Sequence, residues 1–439
     1  MPRRLWTMYL FALAMASGNA AAQEPPANAL PEPLTLEFAL SQAESAHPQL
    51  EASRHLIESR EARRRQAESA NDYRIDIDGR LRWIDLPAGA PSPGLNDDHA
   101  LAITLEKPLL DFGLSDERER AARLGEEGAR QRYVDTVQLR RETIMRRYFD
   151  VLLADLQFFR ENERMAVAFI RLDRARERQR LGQRDDLDIL ELERIYQKVR
   201  RDRYYFESQQ RVTRARLAQA MNRPDQLSAD LSRPELPQLK RKPPELEKLQ
   251  DLARQHNPGL IALRKEAASA QSTLAATRKS DGLTVDAEMG YGAYAYQLPS
   301  RENWNVGIKF NYPLARGGRT EADIALAVSA MNQAQTSLRQ AEMALQQDLL
   351  ETWMDINTLR IERDEMFALY DYRGLKLDQT RTRYEQEMQA DLGDTMVLFT
   401  DAEWRLRRTE YELALKWLKL EGLVGVPYEQ FPRQAEQEN

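Results

Sequence analysis

YRIDIDGRLRWID, residues 73–85, alternates without a break. Side chains of an extended chain point to opposite sides with a period of two. Tyr73, Ile75, Ile77, Gly79, Leu81 and Trp83 therefore form one apolar face, and Arg74, Asp76, Asp78, Arg80 and Arg82 form an ionic face. Three further segments share this design. Ala100 to Leu109 sets Leu101, Ile103 and Leu105 on one side. In the third, Leu283, Val285, Ala287, Met289 and Tyr291 alternate with Thr284, Asp286, Glu288 and Gly290. In the fourth, Trp304, Val306, Ile308, Phe310 and Tyr312 alternate with Asn303, Asn305, Gly307, Lys309 and Asn311. Each is long enough for a membrane-spanning strand, which needs roughly 9–11 residues. Apolar-out, polar-in alternation with aromatic ends is the pattern of outer membrane β-barrels. A soluble antiparallel sheet with one wet face alternates equally well. The competing reading is thus a periplasmic coiled-coil adaptor or scaffold built on such a sheet.

The strands interrupt a mainly helical chain. A helix is expected from about Thr35 to Ala70, broken or kinked at Pro48, since proline lacks the N–H that an interior position donates. Loop composition fills 87–98, and EKPLLDFGLS, 106–115, leaves the second strand. A very long helix follows from about Asp116 to Arg180, a break at 181–186, and a helix from Leu187 to about Met221. After a proline-rich linker at 223–244 the order starts again. NPGL at 257–260 matches HPQL at 47–50, and FNYPLARGG at 310–318 matches LEKPLLDFG at 105–113. QLPSR, 297–301, is a turn between the last two strands; a long helix runs from about Thr320 to Glu385, and after a break at 386–393 another runs to about Val424. The chain therefore divides into a first repeat at 34–222, a linker at 223–244, a second repeat at 245–426 and a tail at 427–439. Leu345, Leu349, Thr352, Ile356 and Leu359 step by four and three, as do Leu413, Trp417, Leu420 and Val424, the spacing of a coiled-coil seam. At 1.5 Å per residue, helices of this size reach about 100 Å and make a rod or the wall of a tube.

The first residues carry an export signal. Arg3 and Arg4 precede an apolar run from Leu5 to Ala16, and Ala20-Ala21-Ala22 supplies a small-residue cleavage site. Residues 1–22 are expected to be removed after Ala22, leaving a proline-rich lead at 23–33. Of 439 residues, 64 are Lys or Arg and 70 are Asp or Glu; without Arg3 and Arg4 the balance is 62 against 70, or −8. The charges are interspersed, which gives no nucleic-acid footprint. The absence of cysteine excludes disulfides, thiolate metal sites and a lipidated cysteine. His47, His55, His99 and His256 have no metal-ligand spacing, and no serine sits in a nucleophile-elbow context. No cofactor, no metal and no enzymatic activity are expected. No run after residue 22 is long and apolar enough for a spanning helix, so membrane insertion requires a barrel. Four strands cannot enclose a lumen, whereas three chains supply twelve.

The exported start, the duplicated H/N-P-x-L helix, the strand-P-L-x-x-G turn into a long helix and the Arg180-Leu181-Gly182 break together resemble the TolC family of outer membrane channel proteins. The run AEWRLRRTEYELALKWLKLEGLVG, 402–425, is similar to the family's last helix. The resemblance covers about 34–426. It implies a homotrimer with a twelve-stranded β-barrel in the outer membrane and a helical tube in the periplasm. The function implied is a passive exit duct for a tripartite efflux pump or a type I secretion system. The partners implied are a periplasmic membrane fusion (adaptor) protein, an inner membrane transporter of RND, ABC or MFS type, and outer membrane lipid.

On this reading the lipid-facing residues are Tyr73, Ile75, Ile77, Leu81, Trp83, Leu101, Ile103, Leu105, Val285, Met289, Trp304, Val306, Ile308 and Phe310. The pore is lined by Arg74, Asp76, Asp78, Arg80, Arg82, Asp286, Glu288 and Lys309. The two helix breaks become periplasmic tips. Gly182 ends a helix there, and Asp185, Asp188, Glu191, Asp391 and Asp394 are the gate candidates, because three copies of one acidic position on a narrow mouth attract cations. Aspartates at a helix start also cap orphan N–H groups, so capping is the plainer role for each of them. The second tip departs from the family pattern: Glu387 stands where the family usually has glycine, and Gly393 follows later.

Overall fold

The computed structural model describes residues 30–89, 94–295, 302–386 and 391–432. The leader and most of the lead, the turn at 297–301, Glu387 and the end of the tail lie outside these residues. In chain order the elements are α1 (Leu36–Ser41), α2 (Pro48–Glu68), β1 (Arg74–Arg80), β2 (Trp83–Leu86), β3 (Gly94–Asp97), β4 (Ala100–Leu110), α3 (Leu114–Arg180) and α4 (Asp186–Ala220). The second half continues with α5 (Leu246–His256), α6 (Pro258–Lys279), β5 (Thr284–Tyr294), β6 (Trp304–Asn311), α7 (Arg319–Glu385) and α8 (Leu392–Val424).

The two halves use the same devices at matching places. Pro48 and Pro258 each occupy the first turn of a helix, where the missing N–H is no loss, and the residue before each caps it. His47 Nδ1 accepts from the Gln49 N–H at 3.2 Å, and Asn257 Oδ1 accepts from the Leu260 N–H at 2.7 Å. The long helices α3 and α7 have 67 residues each, about 100 Å at 1.5 Å per residue, and each starts after a left-handed glycine, Gly113 or Gly318. Finally, the end of α4 meets the α1–α2 junction through Asn222 Nδ2, which donates to the Ala46 carbonyl. The end of α8 meets the α5–α6 junction, where Asn257 Nδ2 donates to the Leu423 carbonyl at 3.0 Å.

The helices run alongside one another: α3 packs on α2, α4, α6 and α8, and α7 packs on α6 and α8. Both seam rows read from sequence are buried, from Leu345 to Leu359 and from Leu413 to Val424. The same core takes in residues of α3 and the linker. Phe149 stacks on Tyr411 with centroids 4.3 Å apart, the Tyr148 hydroxyl donates to the Leu34 carbonyl at 2.8 Å, and Leu34 forms a parallel bridge with Leu231. Arg140 is buried in this region, and its acceptors are main-chain carbonyls: Ala43 at 2.8 Å, Ala220 at 3.3 Å and Gln42 at 3.4 Å. Burial pulls this guanidinium below its usual pKa. Helix C-terminal carbonyls carry partial negative charge, so the cation joins the ends of α1 and α4 to α3. Arg140→Met fills similar space but orphans those acceptors. It should cost about 2–4 kcal/mol, read as a lower thermal midpoint by circular dichroism.

The sheet departs from the sequence reading in three places. Strand 73–85 divides: β1 ends at Arg80, and β2 pairs with β3 as a separate two-stranded ribbon. Arg82 and Trp83 therefore lie beyond β1. The cause is a corner at Asp98, which is fully buried: its N–H donates to the Arg82 carbonyl at 2.7 Å, its carboxylate accepts from Arg82 Nε at 2.7 Å, and Arg80 lies 3.7 Å away. The stretch 87–98, expected to be loop, contains β3. The second strand continues to Leu110, past the expected exit, through a register shift between Pro108 and Leu110.

Candidate functional site

The main sheet has the order β1-β4-β5-β6, antiparallel throughout. Its register extends each strand's alternation across the whole sheet. Ile75, Leu105, Met289 and Val306 form one cross-strand row, and Ile77, Ile103, Tyr291 and Trp304 form the next. Gly79 and Leu101 are paired, as are Val285 and Phe310 and also Ala287 and Ile308. The expected apolar residues within β1, β4, β5 and β6 therefore share one face. Most are strongly exposed, from Ile103 at 44% to Trp304 at 71%, with Leu81 at 78% beyond the end of β1.

The opposite face carries the expected charges. Arg74, Glu106 and Glu288 form a row, and Asp286 faces Lys309. Arg74 donates to Asp76 at 2.7 Å and also bonds Glu106. Asp78 opposes Ala102, and Arg80 and Arg82 turn to Asp98. On β5 the ionic face is the sheltered one: Glu288, Gly290 and Tyr294 are half-buried and Gly292 is buried, whereas Met289, Tyr291 and Ala293 are exposed; the edge strands β1 and β6 are exposed on both faces. The cover over Gly292 is the ring of Tyr294, two residues on. A Cβ at Gly292 would stand 2.6 Å from the Tyr294 Cζ. Sequence alternation assigned the faces but gave no sign of this ring.

At the far end of the helices, α3 stops at a Schellman-type cap. The Gly182 N–H donates to the Gln179 carbonyl at 2.8 Å, the Gln183 N–H donates to the Arg178 carbonyl at 2.9 Å, and Gly182 has φ 71°. Asp185 caps α4, accepting from the Leu187 N–H at 3.2 Å. Asp188 lies 3.9 Å from Arg184, and Glu191 is exposed. At the second tip Gln386, the residue after α7, has φ −86°, the same as Leu181 after α3, and Gly393 lies in the first turn of α8 against Val167. Asp391 caps α8, accepting from the Asp394 N–H at 3.3 Å. Arg171, on α3, reaches both aspartates, with Nη2 2.6 Å from Asp391 Oδ2 and 2.6 Å from Asp394 Oδ2. Sequence reading singled out the two acids and missed the arginine, which lies 220 residues earlier than Asp391.

Residues 249–426, from within α5 to just past α8, match the family described as outer membrane efflux protein. The match covers most of the second half of the chain. Outer membrane efflux proteins are passive channels rather than enzymes. The chain is also similar to solved channel structures. CmeC, an outer membrane channel of Campylobacter jejuni, superposes with a TM-score of 0.74 at 12% identity, covering 94% of each chain. VceC, an outer membrane protein of Vibrio cholerae, gives 0.72 at 16% identity, covering 90% of this chain and 96% of that one. The open state of the Neisseria gonorrhoeae MtrE outer membrane channel gives 0.67 at 15% identity, covering 89% of each. At these identities the structural likeness fixes the fold. It is the combined α-barrel and β-barrel architecture, and it extends over both halves of the chain. No curated protein matches the sequence.

Proposed function

We propose that three copies of this chain form the outer membrane exit duct of a tripartite efflux pump or type I secretion system. The duct works with a periplasmic adaptor and an inner membrane transporter, which supply the energy. One observation carries the reading: a four-stranded sheet with an exposed apolar face, an ionic face sheltered along β5 and two open edges, mounted on helices about 100 Å long. Unpaired strand edges cannot sit in lipid. The edge strands β1 and β6 run in opposite directions, so β6 of one protomer pairs antiparallel with β1 of the next, and three sheets close at twelve strands. The apolar face then meets lipid and the ionic face lines the lumen. In the α-barrel, Met343, Leu350, Met354, Ile361, Tyr372 and Leu375 form an exposed stripe on α7 that a neighbouring protomer covers. Residues 1–22 act as the export signal, and 34–222 and 245–426 are the two repeats.

The cysteine-free chain makes the test direct. Asp78→Cys and Lys309→Cys should react with a water-soluble thiol reagent. Ile77→Cys and Ile308→Cys should resist it, and a fluorophore placed there should be quenched by brominated lipid. Equal labelling of both faces, or a monomer by native mass in detergent, would sink the duct.

Tyr294 gives a second expectation. With Gly292 beneath it, the ring lies along the sheltered face; Gly292→Ala must lift it, because the added Cβ meets the ring carbons of the same side chain at 2.6 and 2.8 Å. Three lifted rings should narrow the outer lumen and lower open-channel conductance by about a quarter to a half, as pore diameter controls permeation. The double variant Gly292→Ala/Tyr294→Ala should restore it.

A further inference from the structure

The linker between the repeats covers a second feature, outside both the membrane face and the tip. Arg233, Pro234, Leu236, Leu239 and Lys240 from the linker, Arg363 from α7, and Arg407, Glu410 and Tyr411 from α8 line a cavity of about 350 Å³. Four cations therefore face one carboxylate. Glu410 is buried and holds Arg407 Nη1 at 2.7 Å, with Arg363 Nε 3.5 Å away. Glu403 pairs with Arg233 at 3.1 Å, and Asp364 lies 3.7 Å from Arg363. Among the described residues Lys240 has no carboxylate within ion-pair distance.

The donors outnumber the acceptors in detail as well as in charge. Arg363 Nε and Arg407 Nε are buried without hydrogen-bond partners among the described residues. Buried donors in folded proteins nearly always have an acceptor. Tyr411 adds a hydroxyl that stays protonated, since burial pushes its pKa up to about 12. The missing component is an acceptor with several oxygens and negative charge. A cation is repelled here, and an apolar ligand leaves the guanidinium donors unpaired.

We infer that this cavity is a binding site for an oxyanion, a carboxylate or phosphate group held by Lys240, Arg363 and Arg407. Its volume exceeds that of one phosphate, so the group is either a free ion or the charged end of a sugar-sized molecule. Bound there, it ties the linker to α7 and α8 and stabilises the assembled protein.

The test uses the purified full-length protein in detergent, with thermal midpoints followed at constant ionic strength against chloride. Inorganic phosphate or glucuronate should raise the midpoint saturably. A stronger response to phosphate identifies a free ion, and a stronger response to glucuronate identifies a carboxylated sugar. Lys240→Gln, exposed and harmless to the core, should weaken the half-saturating concentration about threefold, and Arg363→Gln about tenfold, the scale of one charge-assisted hydrogen bond. Lys198→Gln, on α4 and outside the cavity lining, should leave it unchanged. The site is refuted if neither anion exceeds chloride, or if Lys240→Gln and Arg363→Gln respond like the parent protein.

Discussion

In the proposed duct, Arg171→Gln should open the periplasmic end at rest. The guanidinium of Arg171 on α3 bonds Asp391 and Asp394, which begin α8, so it joins the two helical hairpins beside the tip. All three side chains are about half exposed. An exposed ion pair contributes about 0.2–1 kcal/mol, so one clamp is weak. A trimer has three. If they release together, they bias the shut state by about 0.6–3 kcal/mol, or roughly 3–150-fold in the shut-to-open ratio. In planar bilayers the variant should therefore raise open probability at least about threefold without changing open conductance. Salt screens such pairs, with a Debye length near 3 Å at 1 M, so the parent channel should drift toward the variant at high salt. Asp391→Asn separates charge from capping, since asparagine still caps a helix. It should leak more than the parent protein and less than Arg171→Gln, because Asp394 remains. A variant as tight as the parent protein at low salt would remove the clamp from the gate.

How far the sequence reached depends on the range of each interaction. Alternation and heptads are local, so the apolar face from Ile75 to Phe310 and the seams through Ile356 and Trp417 were legible residue by residue. The matching helix starts were legible because His47-Pro48 and Asn257-Pro258 repeat a local cap. The end of β1 was not legible: the bend is made by Asp98 closing on Arg82, a pair joined across a turn, while the alternation runs on past it. β3 hid in a stretch whose glycines and prolines resemble loop. Arg171 lies amid a run of arginines on α3 with nothing local to distinguish it from Arg174 or Arg176. The linker pocket was the least visible, since residues 233–240 carry no periodicity and only folding brings them to Arg363 and Arg407.

Gly425→Asn should largely prevent recovery of the folded trimer, although Asn222 occupies the corresponding place in the first half. Both residues follow the last turn of a helix and both have left-handed backbones, with φ 83° at Gly425 and 58° at Asn222. Asparagine tolerates that region better than most residues, so backbone strain alone predicts a mild effect. Space decides the difference. A Cβ at Gly425 would lie 2.5 Å from the His256 carbonyl carbon and 3.0 Å from the Asn257 nitrogen. These are main-chain atoms at the start of α6 and cannot rotate away. The end of α8 must then retreat, losing the Asn257–Leu423 bond and exposing Val424 and Leu420, both fully buried. Overpacking of about 1–3 kcal/mol adds to about 2–3 kcal/mol for the uncovered Val424. Asn222→Gly loses only its bond to Ala46 and should lower the thermal midpoint by a few degrees, as a cost of about 1 kcal/mol implies. Purified yield of trimer and its melting temperature read both variants. If Gly425→Asn assembles and melts within about 2 °C of the parent protein, less than 1 kcal/mol is involved, and the α8 terminus is not held against the α5–α6 junction.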